Sequence, residues 1–423
     1  MKQSRIPAAA AFLALAAALH VAPSGATPIK VFSSPIVSDG SLGDISVDAS
    51  IAAGVGGMLI IDTSSGQILT TGFVQGGGAT ALTGAFAGTL SLTQTNGPGV
   101  LVFEFSTFTL PQNMTLLVRG DKPAVIAATG DITINGNVQA VANGQAHGNN
   151  LSGTGGPGGG GAQGGGGGEG GHGLLPVGCC FADASAGGGG GGGHVSGGRN
   201  GNPGNPVNGV QSAGGAGGLA SPGLGTLVGG AGGGAGGSEN SQGFIPGGDG
   251  GTGGGALLFV TSGNLTIGSS GTINADGVNA PFLDQTLSGA GGGGAGGTIW
   301  FDVGGIFDNE GLISARGGAG AQDARRANNP PDTYGFGGGG SGGFVFIDPT
   351  EIINNGLIDV SDGSGVADNG GLVNLVAPLI TGNGRIIGQA ALEDSSAPEP
   401  AGLALVCIGL AGVGTTRRRR ARA

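Results

Sequence analysis

Two cysteines and two histidines stand close together in the stretch "HGLLPVGCCFADASAGGGGGGGH", as His172, Cys179, Cys180 and His194. Two thiolates and two imidazoles can bind zinc, but adjacent cysteines seldom occupy two vertices of a tetrahedron, and this spacing matches no usual site. The simpler interpretation is a disulfide of Cys179 and Cys180, vicinal or between chains, and a third is an unbonded pair. We therefore predict no metal site and no cofactor.

Acidic residues form a second candidate group, with Asp359, Asp362 and Asp368 in "DVSDGSGVADNGG" and Asp276 in "NADG". Carboxylates at turns can bind calcium. The chain lacks, however, the repeated G-G-x-G-x-D nonapeptide and the alternating Asp/Asn spacing of a helix-loop-helix calcium site. We interpret these residues as solvated turn carboxylates.

Enzymatic chemistry needs acidic and basic side chains grouped more closely than the sequence predicts. Polysaccharide lyases and hydrolases with repetitive β folds use paired carboxylates, or calcium with an Arg or Lys base. The arginines of the repeat region are Arg316, Arg325, Arg326 and Arg385, and none is matched with an acidic cluster at the repeat spacing. We predict no catalytic residue, and an enzyme remains the alternative.

Glycine dominates the composition, with 105 residues among 423. The glycine runs include no G-x-x-x-x-G-K-[ST] motif before a helix, which argues against a phosphate-binding loop. They also lack the strict Gly-X-Y period of collagen. Short apolar runs broken by Gly, Asn and Pro fill the rest of the chain and predict an all-β protein.

Four stretches repeat one pattern of two short strands separated by an Asn/Gly turn. They are "GDITINGNVQAVANG", "GNLTIGSSGTINADG", "GGIFDNEGLISARGG" and "TEIINNGLIDVSDG", in which Ile273, Ile313 and Ile358 occupy the same place. Glycine tracts followed by apolar strands, such as "GGTGGGALLFV", alternate with them. Because so short a strand cannot bury its apolar face alone, we predict that the units stack into a β-solenoid, a right-handed parallel β-helix.

Asparagines at the turns are expected to adopt left-handed backbone conformations, which Asn tolerates better than most residues. They are Asn135, Asn274, Asn309, Asn354 and Asn355. The predicted organisation is a signal peptide (1–26), an N-terminal β region (27–117), a first solenoid unit (118–145), a glycine-rich insertion (146–255), solenoid repeats (256–395) and a C-terminal sorting signal (396–423).

The insertion offers little apolar surface to offset the entropy of ordering glycine. We expect long glycine-rich loops there, mobile or loosely packed. The alternative is that the tracts pack against one another as polyproline-II-like strands.

The N-terminus has the order of a secretory signal: Lys2 and Arg5, an apolar helix from Ala8 to Val21, and a cleavage site after Ala26. Residues 27–416 keep eight of the 15 basic residues against all 26 acidic residues, a net charge of −18. So acidic a chain disfavours nucleic acid as a partner.

The C-terminal tail "APEPAGLALVCIGLAGVGTTRRRRARA" joins a Pro-Glu-Pro, a short apolar run and five arginines. The run from Ala401 to Gly414 would cover about 21 Å as a helix, against a hydrocarbon core of about 30 Å, so it would span a membrane only marginally. The basic residues would stop transfer and stay cytoplasmic. They are Arg417, Arg418, Arg419, Arg420 and Arg422.

This three-part tail resembles the PEP-CTERM sorting signal of Gram-negative bacteria. The resemblance implies recognition by an exosortase, a membrane protease that would cut near Pro398, Glu399 and Pro400, and an association with exopolysaccharide or biofilm production. The stretch "FTLPQNMTLLVRGDKPAVIAATGDITINGNVQA" is also similar to glycine-rich repetitive surface proteins with a β-helical body.

We therefore expect a protein exported through the inner membrane to the cell envelope, outer surface or extracellular matrix. It would be structural or adhesive and bound to exopolysaccharide or other matrix components, with self-association as a further expectation. Before processing it would contact the membrane through its C-terminal helix. The alternatives are a carbohydrate-active β-helix enzyme and a sugar-binding or ice-binding solenoid, which a flat exposed ladder of Thr or Asn would favour.

Overall fold

The computed structural model describes twelve segments of the chain. They are residues 45–46, 57–71, 80–81, 90–94, 97–140, 186–204, 212–221, 225–238, 247–281, 288–321, 335–364 and 370–393. All regular structure in these segments is strand, and they include no helix. The two helices expected at the ends of the chain lie outside the described residues.

The strands, in chain order, fall into an N-terminal and a C-terminal set. The first set is β1 (Ile45–Ser46), β2 (Met58–Asp62), β3 (Gln67–Thr71), β4 (Thr80–Ala81), β5 (Leu90–Thr93), β6 (Gly99–Phe105), β7 (Phe108–Leu110), β8 (Thr115–Arg119), β9 (Ala124–Ala128), β10 (Ile132–Ile134) and β11 (Asn137–Ala140). The second set is β12 (Ala256–Thr261), β13 (Leu265–Ile267), β14 (Thr272–Asn274), β15 (Thr298–Val303), β16 (Ile306–Asn309), β17 (Leu312–Ser314), β18 (Phe344–Asp348), β19 (Glu351–Asn354), β20 (Leu357–Asp359), β21 (Leu372–Val376), β22 (Ile380–Thr381), β23 (Arg385–Ile387) and β24 (Gln389–Glu393).

The strands form three sheets. The first sheet has the order β1-β7-β10-β13-β16-β19-β22, the second β23-β20-β17-β14-β11-β8-β2-β3-β4, and the third β24-β21-β18-β15-β12-β9-β6-β5. From β6 to β23 the chain visits the third, first and second sheets in turn, and each strand pairs in parallel with its equivalent one turn later. We call one such passage a coil. The fold is thus all-β with parallel sheets, which is consistent with a β-solenoid.

The predicted repeats are confirmed as successive coils. Each of the four repeat stretches contributes one strand to the first sheet and one to the second. Ile273 is in register with Ile313, and Ile313 with Ile358. The apolar strands that follow the glycine tracts form the third sheet. Sequence periodicity therefore identified both the strands and their register.

Side chains that point into the coils form one apolar core. Phe259 and Phe301, in register on neighbouring strands, stack with ring centroids 5.5 Å apart. Phe301 also packs edge-on against Phe307 of the first sheet at 4.8 Å. The third-sheet strands are buried on almost every residue, which explains their continuous rather than alternating hydrophobicity.

The glycine tracts all leave the coils at one corner, between a second-sheet strand and the following third-sheet strand. This connection holds residues 141–255 after β11, 275–297 after β14, 315–343 after β17 and 360–371 after β20. We call the described parts of these connections the glycine bundle: residues 186–204, 212–221, 225–238, 247–255, 275–281, 288–297, 315–321, 335–343 and 360–363.

Hydrogen bonds in the glycine bundle join neighbouring segments at every third residue. Gly230, Gly233 and Gly236 donate to the carbonyls of Gly254, Gly251 and Gly248 at 2.8 to 2.9 Å. A three-residue period is that of polyproline II, a helix with no internal hydrogen bonds, so its N–H groups are free to pair with neighbours. The segment 288–297 bonds in this way to six others. Those six are 186–193, 229–237, 247–255, 275–281, 315–321 and 335–343.

Glycine is required in this central segment because neighbouring backbones approach from all sides. A Cβ at Gly292 would lie closer than 3.0 Å to the carbonyl of Gly190, and one at Gly294 would overlap the carbonyl of Thr252. Most residues of the bundle are buried. The expectation of loosely packed loops is therefore wrong for the described part of the insertion. Backbone hydrogen bonds and close packing replace the apolar side chains that the insertion lacks, and the three-residue period of these bonds favours the polyproline-II-like alternative.

Candidate functional site

Most residues of the predicted sorting and redox sites lie outside the described residues. These are Ala26, His172, Cys179, Cys180, Asp368, Arg325, Arg326, Pro398, Glu399, Pro400, Arg417, Arg418, Arg419, Arg420 and Arg422. The described candidates are His194, three aspartates and two arginines. They lie at or near the glycine bundle or on the last coils.

His194 is buried where the glycine bundle meets the third sheet. Its Nε2 lies 2.9 Å from Oγ1 of Thr298, the first residue of β15. Because Thr298 donates its hydroxyl proton to the carbonyl of Val228 at 2.7 Å, Nε2 must carry the proton shared with Thr298. Nδ1 then holds a lone pair and has no partner among the described residues. Burial lowers the pKa of His194 from 6.5 to about 4, so the imidazole is neutral.

Asp276 and Arg316 form an ion pair between successive coils. Arg316 donates from Nε and Nη2 to Asp276 Oδ2 at 3.2 and 2.9 Å. The other carboxylate oxygen accepts the backbone N–H of Arg316 at 2.6 Å and the hydroxyl of Ser314 at 2.5 Å. The hydrogen bond and charge of Asp276 raise the pKa of Arg316 above its usual value. The sequence matched Arg316 with no acidic cluster at the repeat spacing, and the structure pairs it with the single carboxylate of Asp276 on the neighbouring coil.

Asp362 and Arg199 join the insertion to the coil that contains β20. Arg199 donates to Asp362 Oδ2 from Nη2 at 2.7 Å and from Nε at 2.9 Å. Ser364 donates its hydroxyl and its N–H to Oδ1. Burial raises the pKa of Asp362, but the hydrogen bonds from Ser364 and Arg199 outweigh that effect and hold the pKa below its usual value.

These contacts correct the interpretation of the aspartates as solvated turn carboxylates. Asp362 and Asp359 are buried, and Asp276 is mostly buried and paired. Asp359 accepts the N–H of Ser361 at 3.0 Å. Asp276, Asp359 and Asp362 therefore stabilise these turns through internal hydrogen bonds. The remaining described arginine, Arg385, is exposed on β23.

A pair of carboxylates that sequence reasoning missed lies on the third sheet. Asp302 of β15 is directly in register with Asp348 of β18. Neighbouring strands lie about 4.8 Å apart, so the two residues occupy adjacent positions on one face. Asp302 is exposed, but neighbouring atoms remove part of its water shell and raise its pKa. Asp302 and Asp348 each lie four residues after the start of their strands, at Thr298 and Phe344. This equal spacing was the sequence signal that could have revealed the pair.

The turn asparagines do not have the expected left-handed conformation. Among the described non-glycine residues only Asn113 has a positive φ, 68°. Asn309 and Asn354 instead point into the core, in register on β16 and β19, where Asn309 Nδ2 donates to Asn354 Oδ1 at 2.8 Å. Asn309 Oδ1 accepts the N–H of Gly311. The side-chain amides of Asn309 and Asn354 thus form an amide ladder. Because Asn309 also accepts a backbone N–H, this corner is formed without a left-handed residue.

Three threonines form a short ladder on the outer face of the first sheet. Thr109, Thr133 and Thr266 are in register on β7, β10 and β13, and all are partly exposed. Asp308 and Ile353 take the equivalent positions on the next two strands. The ladder therefore ends after three coils.

Two general properties hold for the described segments. No three His, Cys, Asp or Glu side chains there converge in a way that could hold a metal ion. None of the described segments forms a helix long and apolar enough to cross a membrane.

Comparison with known proteins identified no relative of this chain. No protein-family model matches it, and neither a curated protein nor a solved structure does.

Proposed function

We propose that this chain is an exported structural or adhesive protein of the cell envelope or of the exopolysaccharide and biofilm matrix. The observation that carries the proposal is the use of the buried polar groups. His194, Arg199 and Asp362 bind the glycine bundle to the coils. Side chains engaged in internal hydrogen bonds favour a structural role over a catalytic one.

The finer fold in this proposal is a right-handed parallel β-helix with a glycine bundle on one corner. Parallel strands joined by crossovers are right-handed in nearly all proteins. Such a stack of parallel coils around one apolar core suits a rigid surface element.

Delivery would use the two ends of the sequence. The signal peptide would direct export with cleavage after Ala26, and the tail from Pro398 onwards would serve as a PEP-CTERM signal for an exosortase. The short apolar run would pause in the bilayer while the arginines from Arg417 onwards stay cytoplasmic. Exopolysaccharide or other matrix components would be the partners outside the cell, and the acidic charge disfavours nucleic acid.

The tail is the part of this proposal that can be tested most directly. The protein recovered from the envelope or matrix should lack the residues after about Pro400 when its intact mass is measured. Replacing Pro398, Glu399 and Pro400 by Ala should leave an uncut precursor in the membrane, whereas a triple Ala replacement at Ser395, Ser396 and Asp394 serves as the matched control. A mature protein that keeps its arginines would contradict the sorting signal.

A carbohydrate-active enzyme is the second candidate, and the Asp302–Asp348 pair is the observation that favours it. Retaining glycosidases hold two carboxyl groups about 5 Å apart, close to the spacing of neighbouring strands. The purified protein should be incubated with acidic and neutral polysaccharides, with and without calcium. New reducing ends or unsaturated products that vanish in Asp302→Asn would favour the enzyme over the structural protein.

A further inference from the structure

All three sheets end together at one exposed stretch of chain. The strands β22, β23 and β24 are consecutive, and each is the last strand of its sheet. We call residues 378–393 the terminal edge. Three of its apolar side chains are exposed, namely Leu379 (49%), Ile380 (37%) and Leu392 (61%). Within the described residues no further strand lies beyond this edge, so its backbone offers unpaired donors and acceptors to another chain.

The opposite end of the sheets is built differently. There the chain folds back on itself, because β3 and β4 continue the second sheet in antiparallel pairing. Likewise β5 covers the third sheet as an antiparallel partner of β6. Antiparallel strands from the same chain thus follow the parallel strands of the second and third sheets at that end, whereas all three sheets stop on parallel strands at the terminal edge.

After the proposed cleavage, too few residues would follow the terminal edge to form a further coil. A further coil needs as many residues as the passage from Ile380 to Glu393. Cleavage near Pro400 would leave only the sequence "DSSAPEP", which is short, polar and carries two prolines without N–H donors. This step rests on the proposed function.

Charge also distinguishes the terminal edge from the rest of the molecule. Residues 27–416 carry a net charge of −18, so two copies repel over most of their surfaces. The terminal edge holds one basic residue, Arg385, and one acidic residue, Glu393, and is neutral. Even with Asp394 and Glu399 of the following sequence, residues 378–400 carry only −2 of the total of −18, so two copies can approach each other at this end with little repulsion.

We propose that two mature copies of this chain associate end to end through their terminal edges. A two-fold axis would bring the same surface of each copy together and set equivalent strands antiparallel. The five-residue β24 is the longest edge strand and would pair with its copy, joining the two third sheets, while Leu392 and Ile380 become buried. Since each copy uses its terminal edge once, the assembly closes at two.

The test is the mass of the mature protein in solution. Protein recovered from the envelope or matrix is first checked by intact mass spectrometry, which reports the processing of the tail. Light scattering at micromolar concentrations should then give twice the mass of one chain. Leu392→Lys should raise the dissociation constant at least tenfold, because it places two lysines in the contact. Leu219→Lys is the matched control, since Leu219 is 78% exposed but lies in the glycine bundle.

The outcomes separate this inference from the sorting proposal. A retained tail in the mass spectrum contradicts the sorting signal, whatever the oligomeric state. A single-chain mass at 100 times the working concentration, an open-ended series of masses, or a dimer that survives Leu392→Lys overturns the end-to-end pairing. Melting curves of Leu392→Lys should match those of the unaltered protein, because the side chain is mostly exposed; if this variant does not fold, Leu379→Lys decides the question in the same way.

Discussion

The His194 imidazole donates from Nε2 to the Thr298 hydroxyl at 2.9 Å, across a sequence separation of 104 residues. This bond attaches the insertion after β11 to the first residue of β15. Thr298 in turn donates a hydrogen bond from its hydroxyl group to the carbonyl of Val228, so three segments of the chain meet at one hydroxyl group. Burial at this contact disfavours the charged imidazolium, which links the stability of the glycine bundle to pH.

We expect the protein to lose stability as the pH falls from about 6.5 to about 4. Burial lowers the pKa of His194 to about 4, so the unfolded chain binds the proton more tightly than the folded one throughout this range. The stabilisation is complete above pH 6.5 and is lost progressively towards pH 4, by about 3 kcal/mol. Chemical denaturation at a series of pH values measures it.

The matched variant for this pH dependence is His194→Gln, which keeps a donor for Thr298 but does not titrate. Its stability should change less than that of the unaltered protein between pH 6.5 and 5, because residue 194 then carries no titratable group. Equal slopes in the variant and in the unaltered protein would show that other groups cause the acid sensitivity.

Gly292→Ala should destabilise the protein strongly. The added methyl group would overlap the backbone carbonyl of Gly190, and a backbone held by neighbours on six sides cannot move away. We expect a loss of about 2 kcal/mol or more, in the range of overpacked cores. Ala290→Gly, in the same segment, is the control and should cost about 1 kcal/mol at most. Thermal melting compares the two, and similar melting temperatures would contradict the close packing of the bundle.

Arg199→Gln should cost about 1.5 to 3 kcal/mol, because it leaves the Asp362 carboxylate buried without its charged donor. The side chain of Asp362 is fully buried, whereas Arg199 is 36% exposed. Arg316→Gln is the control, since Arg316 is 51% exposed and its pair with Asp276 should contribute no more than about 1 kcal/mol. Urea denaturation of both variants tests the order, and the reverse order would be inconsistent with the insertion being anchored at Asp362.

Asn309→Leu should destabilise the core by about 1 to 3 kcal/mol, because Asn354 would lose the donor to its buried Oδ1. The double variant Asn309→Leu with Asn354→Leu should recover part of that loss, since both polar groups are then removed. Equivalent positions on earlier coils already hold Ile267 and Ile134. If the double variant loses as much unfolding free energy as the two single variants together, the result would argue against the amide ladder.

The coils were predictable because their signal is local and repeats. Apolar residues such as Ile273, Ile313 and Ile358 recur at nearly constant spacing, and stacking in register follows from that spacing. The third-sheet strands were predictable for a similar reason, since they are short apolar runs bounded by glycine.

The glycine bundle was predicted wrongly because its stabilisation is not local. A glycine-rich stretch looks costly to order when its entropy is set only against its own apolar surface. Gly292 gains instead from hydrogen bonds to segments far away in sequence. The partners of Arg316 and Asp302 were missed for a related reason, because matching them requires the register of neighbouring coils rather than a motif.

The six segments that surround residues 288–297 impose an order on the folding of the newly made chain. Gly189, in an early segment, accepts a hydrogen bond from Gly338, which is made about 150 residues later. At ordinary rates of synthesis that delay is about 7 to 30 s. For this time Gly189 lacks its partner Gly338, although the segment around it can already pair with residues 199–202 and 214–218. The glycine bundle can therefore be completed only after its last glycine tract has been made.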